Sequence, residues 1–305
     1  MRILITGASG LLGLNLALET SRRHVVFGTI HQHNLKTEAF TVIQIDLLAP
    51  GAVERLLDET QPDWIIHCAA LANLDACEAN PLLAKQLNTD LPRTLASHVA
   101  RGGARLIHVS TDSVFDGLQG DYTEQDIPIP VGVYSRTKLD GERAVAEADP
   151  NAIIARVVIF GWSLVGNRSL AEFFFYNLSQ GKQVMGFTDV IFSPLLANDL
   201  AEIFTAMLEV KLSGIYHVVS PESLSKYDFG QRIAQQFQLD GSLIKPALVH
   251  QSGLIASRSP NLSLRPDKLV QTFGKTLPTV STGLEKFYTL YQQGYPQLLK
   301  NLQAI

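Results

Sequence analysis

Tyr134 and Lys138 stand four residues apart in a stretch rich in alanine and glutamate, a spacing that puts a phenol and an ammonium on one helix face. A tyrosine titrates near pH ~10, so it exchanges protons poorly at neutral pH until a nearby cation stabilises its phenolate. Lys138 is that cation here, and the pair could protonate an alkoxide forming at a carbon–oxygen bond. Alone the pair is a weak signal, because Tyr-x-x-x-Lys recurs by chance on helix surfaces. Thr111 strengthens it. It follows an apolar run at 106–110, and so sits at the carboxyl end of a strand, where open α/β sheets bind ligands. A hydroxyl there can orient a carbonyl for hydride attack and support the oxyanion that forms. The plain alternative is a polar strand-to-loop cap.

A hydride needs a carrier, and the chain begins with a place for one. Gly7, Gly10 and Gly13 fall at three-residue spacing between a first strand and a first helix. Gly7 would permit the tight turn, Gly10 the approach of backbone to a pyrophosphate, and Gly13 close packing of helix on strand. The helix N-terminus would face the anion. An NAD-preferring site usually places an acid about 20 residues past the turn, on the ribose 2′-hydroxyl. Gly28-Thr29-Ile30-His31-Gln32-His33 carries none. A 2′-phosphate is then not repelled, and His31, His33 or the pair Arg22 and Arg23 could donate to it. The sequence leans to NADP over NAD, with a solvated loop accepting both as the alternative. No third ligand accompanies His31 and His33, so no metal site is expected there.

These residues need a scaffold. Short apolar runs at 3–6, 25–30, 42–45, 64–69, 106–110 and 153–159 alternate with helix-like stretches at 11–21, 53–59, 81–101 and 134–148. Apolar strands alternating with helices predict an α/β protein with a Rossmann-like doubly wound parallel sheet. After Gly161 the rhythm loosens, with helix-like 196–208 and 227–237 and a strand-like 215–219. Thr282 with Glu285 reads as a capping box for a last helix. Residues 1–163 with 188–220 are expected to form the dinucleotide-binding domain. Residues 164–187 with 221–305 would form a smaller, interleaved C-terminal substrate lobe.

Composition removes other classes. In 305 residues, 46% are hydrophobic and 18% charged, with 25 Lys+Arg against 29 Asp+Glu and no run of like charge. Neither nucleic acid nor an anionic membrane is an expected partner. The apolar run 152–165 is too short to span a bilayer and contains Arg156, and no basic leader precedes an apolar segment. Cys68 and Cys77 read as free core thiols in a reducing compartment, so a soluble, cytoplasmic protein is expected.

In order along the chain, the glycine turn, Ala69-Ala70, Asn88, Thr111 and Tyr134 with Lys138 resemble the extended short-chain dehydrogenase/reductase family over nearly its whole length. Residues 110–117, Glu124-Gln125-Asp126, residues 137–142 and Arg258-Ser259-Pro260-Asn261 look like its dTDP-4-dehydrorhamnose reductase branch. The resemblance implies hydride transfer from NADPH or NADH to a nucleotide-linked 4-keto-6-deoxy sugar. It implies that Tyr134 donates the proton, Lys138 grips the nicotinamide ribose and lowers the Tyr134 pKa, and Thr111 holds the oxygen. It places Ser9, Leu11, Leu12, His31, Asp46, Leu47, Ala69, Ala70, Leu71, Asn88, Val157 and Val158 along the cofactor. Asp75, Thr111 and Arg258 would face the substrate. Ile159 stands where sugar reductases usually carry tryptophan, and Leu71-Ala72-Asn73-Leu74 departs from the usual Tyr-Thr-Ala-Val, which loosens the tie to the rhamnose precursor.

The same branch contains the regulatory β subunit of methionine adenosyltransferase, similar here at 110–117, at 138–142 and at Lys226-Tyr227, so a cofactor-binding regulator is an alternative. A nucleotide-sugar epimerase on permanently bound NAD is another, opposed by the missing second-strand acid. Phe229, Ile233 and Phe237 read as a core stripe, Trp64 and Trp162 as packing residues, and His67, His108 and His217 as core histidines. Residues 173–176 read as lobe packing or part of a homodimer surface.

Overall fold

Each apolar run is short, rich in β-branched residues and covered on both faces, which is why it settles as a buried parallel strand. The computed structural model describes residues 1–251 and 259–303. Strands β1 (Arg2–Thr6), β2 (Val25–Ile30), β3 (Thr41–Gln44), β4 (Trp64–His67), β5 (Arg105–Thr111), β6 (Ile153–Val157) and β7 (Gly214–Val218) form one sheet in the order β7-β6-β5-β4-β1-β2-β3. All its pairings are parallel. The winding reverses between β1 and β4, and a crevice opens there at the carboxyl ends of the strands.

The pleat sorts side chains by parity. Ile3, Ile5, Ile66, Ile107 and Ile153 pack with Leu14 and Leu16 of α1 (Leu11–Thr20) and with Leu200 and Phe204 of a later helix, Asp199–Glu209. Leu4, Ile65, Leu106 and Ile154 cover the other face with Ala96, Val99 and Val145. Toward the carboxyl ends this second face turns polar while staying buried, with Thr6, His67, His108, Ser110 and Arg156 in successive strands.

The helix Val133–Ala148 lies over that polar patch. Arg156 Nε and Nη2 donate to the two oxygens of the Glu142 carboxylate at 2.9 and 2.7 Å, and Ser110 Oγ donates to the same group at 2.6 Å. Arg156 and Glu142 are 1% and 2% exposed, so this is a fully desolvated pair. Gly141 permits the approach on the other side, since a Cβ there would stand 2.1 Å from the Asn88 carbonyl oxygen.

Several boundaries differ from the sequence reading, each for a local reason. The run 64–69 stops at His67, because the Cys68 and Ala69 nitrogens leave the ladder to donate to Thr6 Oγ1. The stretch 81–101 is three pieces, Pro81–Lys85, a π-helical Gln86–Asp90 and Leu91–Gly102. The run 153–159 divides at Val158, after which Ile159–Phe160 pairs with Leu195–Leu196. That pairing also delays the next helix to Asp199. The helix Val280–Gln292 is capped by Thr279, not Thr282, while a complete capping box joins Ser169 and Glu172 at the start of Leu170–Ser179. Short helices Leu74–Ala79, Asp267–Phe273 and Tyr295–Asn301 carry no strong apolar period and were not expected.

The packing readings hold. Phe229 and Ile233 are fully buried, Phe237 packs against them, and Trp162 stacks on Phe287 at 4.0 Å. Both cysteines are free. Phe174 and Phe175 are buried while Phe173 faces outward. Among the described residues no helix is long and apolar enough to cross a membrane.

Breaking one side of the buried pair strands the other charge. Glu142→Leu is expected to cost about 3–5 kcal/mol in urea denaturation, and Glu142→Leu with Arg156→Met to recover much of it. A double variant no more stable than the single would contradict this account of the pair.

Candidate active site

The glycine turn is built as its spacing indicates. Gly7 has φ +70°, and a Cβ there would stand 2.9 Å from the Ala69 nitrogen, so only glycine lets β1 turn against the end of β4. A Cβ on Gly13 would stand 2.3 Å from the Gly7 carbonyl oxygen, closing the gap between turn and α1. Gly10 is the exposed N-cap of α1 and makes no side-chain cap, and the first turn carries no acid. The first N–H groups of α1, from Leu11, Leu12 and Gly13, have no helical partners. With half-buried Ser9 beside them, they suit the pyrophosphate of a dinucleotide.

The end of β2 leaves His31 and His33 exposed, and Gln44 Nε2 donates to the His31 carbonyl at 3.2 Å. Asp46, which accepts from the Leu48 nitrogen, and Leu47 follow β3 at the same edge. Arg22 and Arg23 are elsewhere. They follow the far end of α1, ten residues and roughly 15 Å from its N-terminus. Arg22 pairs with Glu19 at 3.0 Å, so neither is placed for a 2′-phosphate, contrary to the sequence reading.

Past β4, Ala69, Ala70 and Leu71 run as an open backbone segment. Asn88 holds it from the π-helical turn: Oδ1 accepts from the Leu71 nitrogen at 2.9 Å, and Nδ2 donates to the Leu71 carbonyl and to Thr137 Oγ1, both at 3.1 Å. An inserted residue in a helix re-aims a side chain, which is how Asn88 reaches both segments.

Thr111 ends β5, buried, donating to Asp112 Oδ1 at 2.9 Å and accepting from the Ser113 nitrogen. Tyr134 lies one residue inside its helix. Burial pushes the phenol above its ordinary value, the Thr111 hydroxyl opposes this through a hydrogen bond, and the charges of Asp112 and Cys77 add to the rise. Lys138 donates from Nζ to the Val109 carbonyl at 2.7 Å. Its burial brings it down to about 8, with Glu142 and then Cys68 acting to raise it. The expected lowering of the Tyr134 pKa by Lys138 is therefore not seen in the protein alone, since the ammonium is drawn toward the sheet instead.

Beneath Lys138 the floor is kept neutral. His67 and His108 stack at 5.5 Å, and burial followed by the nearby Lys138 charge takes His67 to about 3 and His108 well below its usual range. Burial pushes the Cys68 thiol up to about 12.

A cavity of about 290 Å³ opens alongside, lined among others by Leu74, Asp112, Ser113, Ser135, Val158 and Lys226. Val157 is buried. Asp75 is not on this cavity. The helix starting at Leu74 turns Leu74 inward and leaves Asp75 exposed. Arg258 lies outside the described residues. The sequence marks Glu78, with Asp75, as a position kept from the family pattern but gives it no role; in the structure its Oε1 accepts from the Val133 nitrogen at 2.8 Å and so fixes the start of the helix bearing Tyr134. An acid facing a helix N-terminus is favourable, but nothing in the sequence pairs positions 55 residues apart.

The sequence profile of the RmlD substrate-binding domain matches residues 1–293. The chain is 33% identical over 291 residues to a probable low-salt glycan biosynthesis reductase, Agl14, of Haloferax volcanii, covering 93% of this chain and 96% of that one. It is 35% identical over 284 residues to methionine adenosyltransferase 2 subunit beta of Rattus norvegicus, covering 90% and 82%. Among solved structures, a dTDP-4-dehydrorhamnose reductase of Clostridium acetobutylicum superposes with TM-score 0.81 at 26% identity, covering 96% of this chain and 100% of that one. The Bacillus anthracis dTDP-4-dehydrorhamnose reductase, solved with NADP, gives TM-score 0.81 at 25% identity over 94% and 97%. Fold and site define an extended short-chain dehydrogenase/reductase. The chain belongs to the RmlD substrate-binding domain family.

Lys138 carries a testable linkage. Its folded pKa of about 8 lies below the ordinary 10.5, so between those values the unfolded chain still holds a proton the folded chain has lost. The stability contributed at this site is lowest below pH 8 and rises as pH climbs toward 10.5. The stability of wild type relative to Lys138→Met, from urea denaturation, should rise between pH 8 and pH 10. A difference independent of pH would contradict the buried ammonium.

Proposed function

We propose that the protein is an NAD(P)H-dependent reductase of a nucleotide-linked 4-keto-6-deoxy sugar. The observation that carries this reading is the meeting of the Thr111 hydroxyl with the Tyr134 phenol, one helical turn from Lys138, next in sequence to Asp112, Ser113 and Ser135, which line the cavity. The glycine turn, the first N–H groups of α1, the open segment from Ala69 to Leu71 and the region of Val157 and Val158 hold the dinucleotide, with Asp46 and Leu47 on its adenine side. The bound dinucleotide supplies a hydride to the ketone carbon. Tyr134 and Thr111 hold the ketone oxygen, and Tyr134 gives its proton to the alkoxide as it forms. The raised phenol pKa keeps that proton in place until the oxygen becomes a strong base. Lys138, which donates to the Val109 carbonyl here, would hold the nicotinamide ribose and bring its positive charge nearer the phenol.

The substrate side is assigned to 164–187 and 221–305, packed against the dinucleotide domain of 1–163 and 188–220. Ile159 in the cavity wall and the apolar Leu74 leave the sugar less tightly framed by aromatic surface than a tryptophan would. The Agl14 reductase and the dTDP-4-dehydrorhamnose reductases support reduction at a sugar ketone. The methionine adenosyltransferase 2 β subunits keep a second reading open, that of a dinucleotide-binding regulator. The retention of Thr111, Tyr134 and Lys138, with the first two in contact, favours catalysis.

Tyr134→Phe removes only the proton donor. NAD(P)H oxidation with dTDP-, GDP- and UDP-linked 4-keto sugars should fall by roughly a hundredfold or more, while NAD(P)H binding stays within about twofold. Unchanged turnover in Tyr134→Phe would remove Tyr134 from the mechanism, and no turnover of any keto sugar by the wild type would favour the regulator.

A further inference from the structure

The segment that follows β6 reaches back to the end of β2, where the adenosine half of a dinucleotide lies in this fold class. It leaves the sheet at Trp162, whose carbonyl accepts from Asn15 Nδ2 of α1 at 2.9 Å. From there one carboxylate gathers it. Glu172, fully buried, accepts from the Ser163 nitrogen at 2.7 Å, the Ser163 hydroxyl at 2.8 Å, the Arg168 nitrogen at 2.9 Å and the Ser169 nitrogen at 3.2 Å. The Ser169 hydroxyl donates in turn to the Gly161 carbonyl. This fixes the backbone of Arg168, a residue exposed to solvent.

The Arg168 side chain crosses to the loop after β2, where Nη2 lies 3.3 Å from His33 Nε2. A guanidinium has only donors, so His33 Nε2 is the acceptor and the imidazole is neutral in this contact. Among the described residues no carboxylate forms an ion pair with Arg168. A full positive charge thus rests on a weak neutral acceptor, at the strand end that carries no acid from Gly28 to His33. The two arginines nearest in sequence, Arg22 and Arg23, lie at the wrong end of α1. Arg168 therefore takes the place the sequence left for a cation, from a segment 135 positions away.

We propose that Arg168 and His33 form a binding site for the 2′-phosphate of NADP, clasped between the segment after β6 and the loop after β2. This rests on the reading of the protein as a dinucleotide-binding reductase. The guanidinium exchanges a neutral imidazole for a phosphate dianion it can grip with two parallel hydrogen bonds. His33, released, can turn a ring N–H to the same phosphate. Glu172 acts behind them as a positioning residue, holding the loop that presents Arg168.

Calorimetric titration of the full chain with NADPH, NADH and 2′,5′-ADP tests this without any turnover. The wild type should bind NADPH more tightly than NADH. Arg168→Ala should weaken NADPH and 2′,5′-ADP by about tenfold or more and leave NADH within about twofold, with Arg168→Lys between. Because Arg168 is exposed, its truncation leaves the fold intact. Equal losses for NADPH and NADH, or NADPH affinity untouched by Arg168→Ala, would overturn the 2′-phosphate site while leaving the reductase reading standing. A wild type that binds neither dinucleotide would overturn the reductase reading itself.

Discussion

Moving a carboxylate and a guanidinium out of water costs several kcal/mol per ion, so a buried pair persists only where its geometry is well satisfied. Glu142 and Arg156 meet that condition with two charge-assisted hydrogen bonds, the Ser110 hydroxyl on the carboxylate, and the Phe115 ring 5.0 Å from the guanidinium carbon. An apolar helix–sheet contact tolerates a few degrees of rotation, whereas a bidentate pair does not. Tyr134, Lys138 and Glu142 recur every four residues on one helix, so fixing Glu142 fixes the azimuth of the other two. Gly141 against the Asn88 carbonyl sets the approach, and Glu78 on the Val133 nitrogen sets the start. The helix bearing Tyr134 and Lys138 is thus fixed at three points, two of them polar contacts.

The same burial governs the chemistry above it. A desolvated ammonium is held at about 8, while His67 and His108 stay neutral and add no competing charge. The phenol is pushed up chiefly by its burial, while the Lys138 ammonium is held on a backbone carbonyl. On the proposed reading, Lys138 would hold the ribose of a bound dinucleotide and bring its charge nearer the phenol.

Much of this was legible in the sequence, for reasons that are themselves physical. The glycine turn is local, and its three positions are demanded by contacts within a few residues, so spacing alone exposes it. The strands declare themselves because a parallel sheet buries both faces. The partners of the reacting residues were less readable. The π-helical turn at Gln86–Asp90 has ordinary helix composition, and what re-aims Asn88 is a single register slip. Ser169 with Glu172 and Thr282 with Glu285 fit one capping pattern, but only the first is realised, since Thr279 captures the later helix a turn earlier. Asp75 had the right chemistry on the outer side of its helix, and Arg22 with Arg23 had it beyond the wrong end of α1. Glu78 and Arg168 make contacts across 55 and 135 positions, which no local period reveals.

Kinship does not separate catalysis from regulation, because relatives of both names share this chain at about one residue in three. Geometry leans to catalysis by keeping the Thr111 hydroxyl on the Tyr134 phenol, with the Lys138 ammonium one turn along the same helix. The direct measurement is transfer of label in a single turnover. Purified protein mixed with NADPH deuterated at the reactive face of C4 and a dTDP-linked 4-keto-6-deoxy sugar is predicted to yield a sugar carrying deuterium at C4. Recovery of unreduced sugar and unoxidised dinucleotide, with dinucleotide binding intact, would contradict the account.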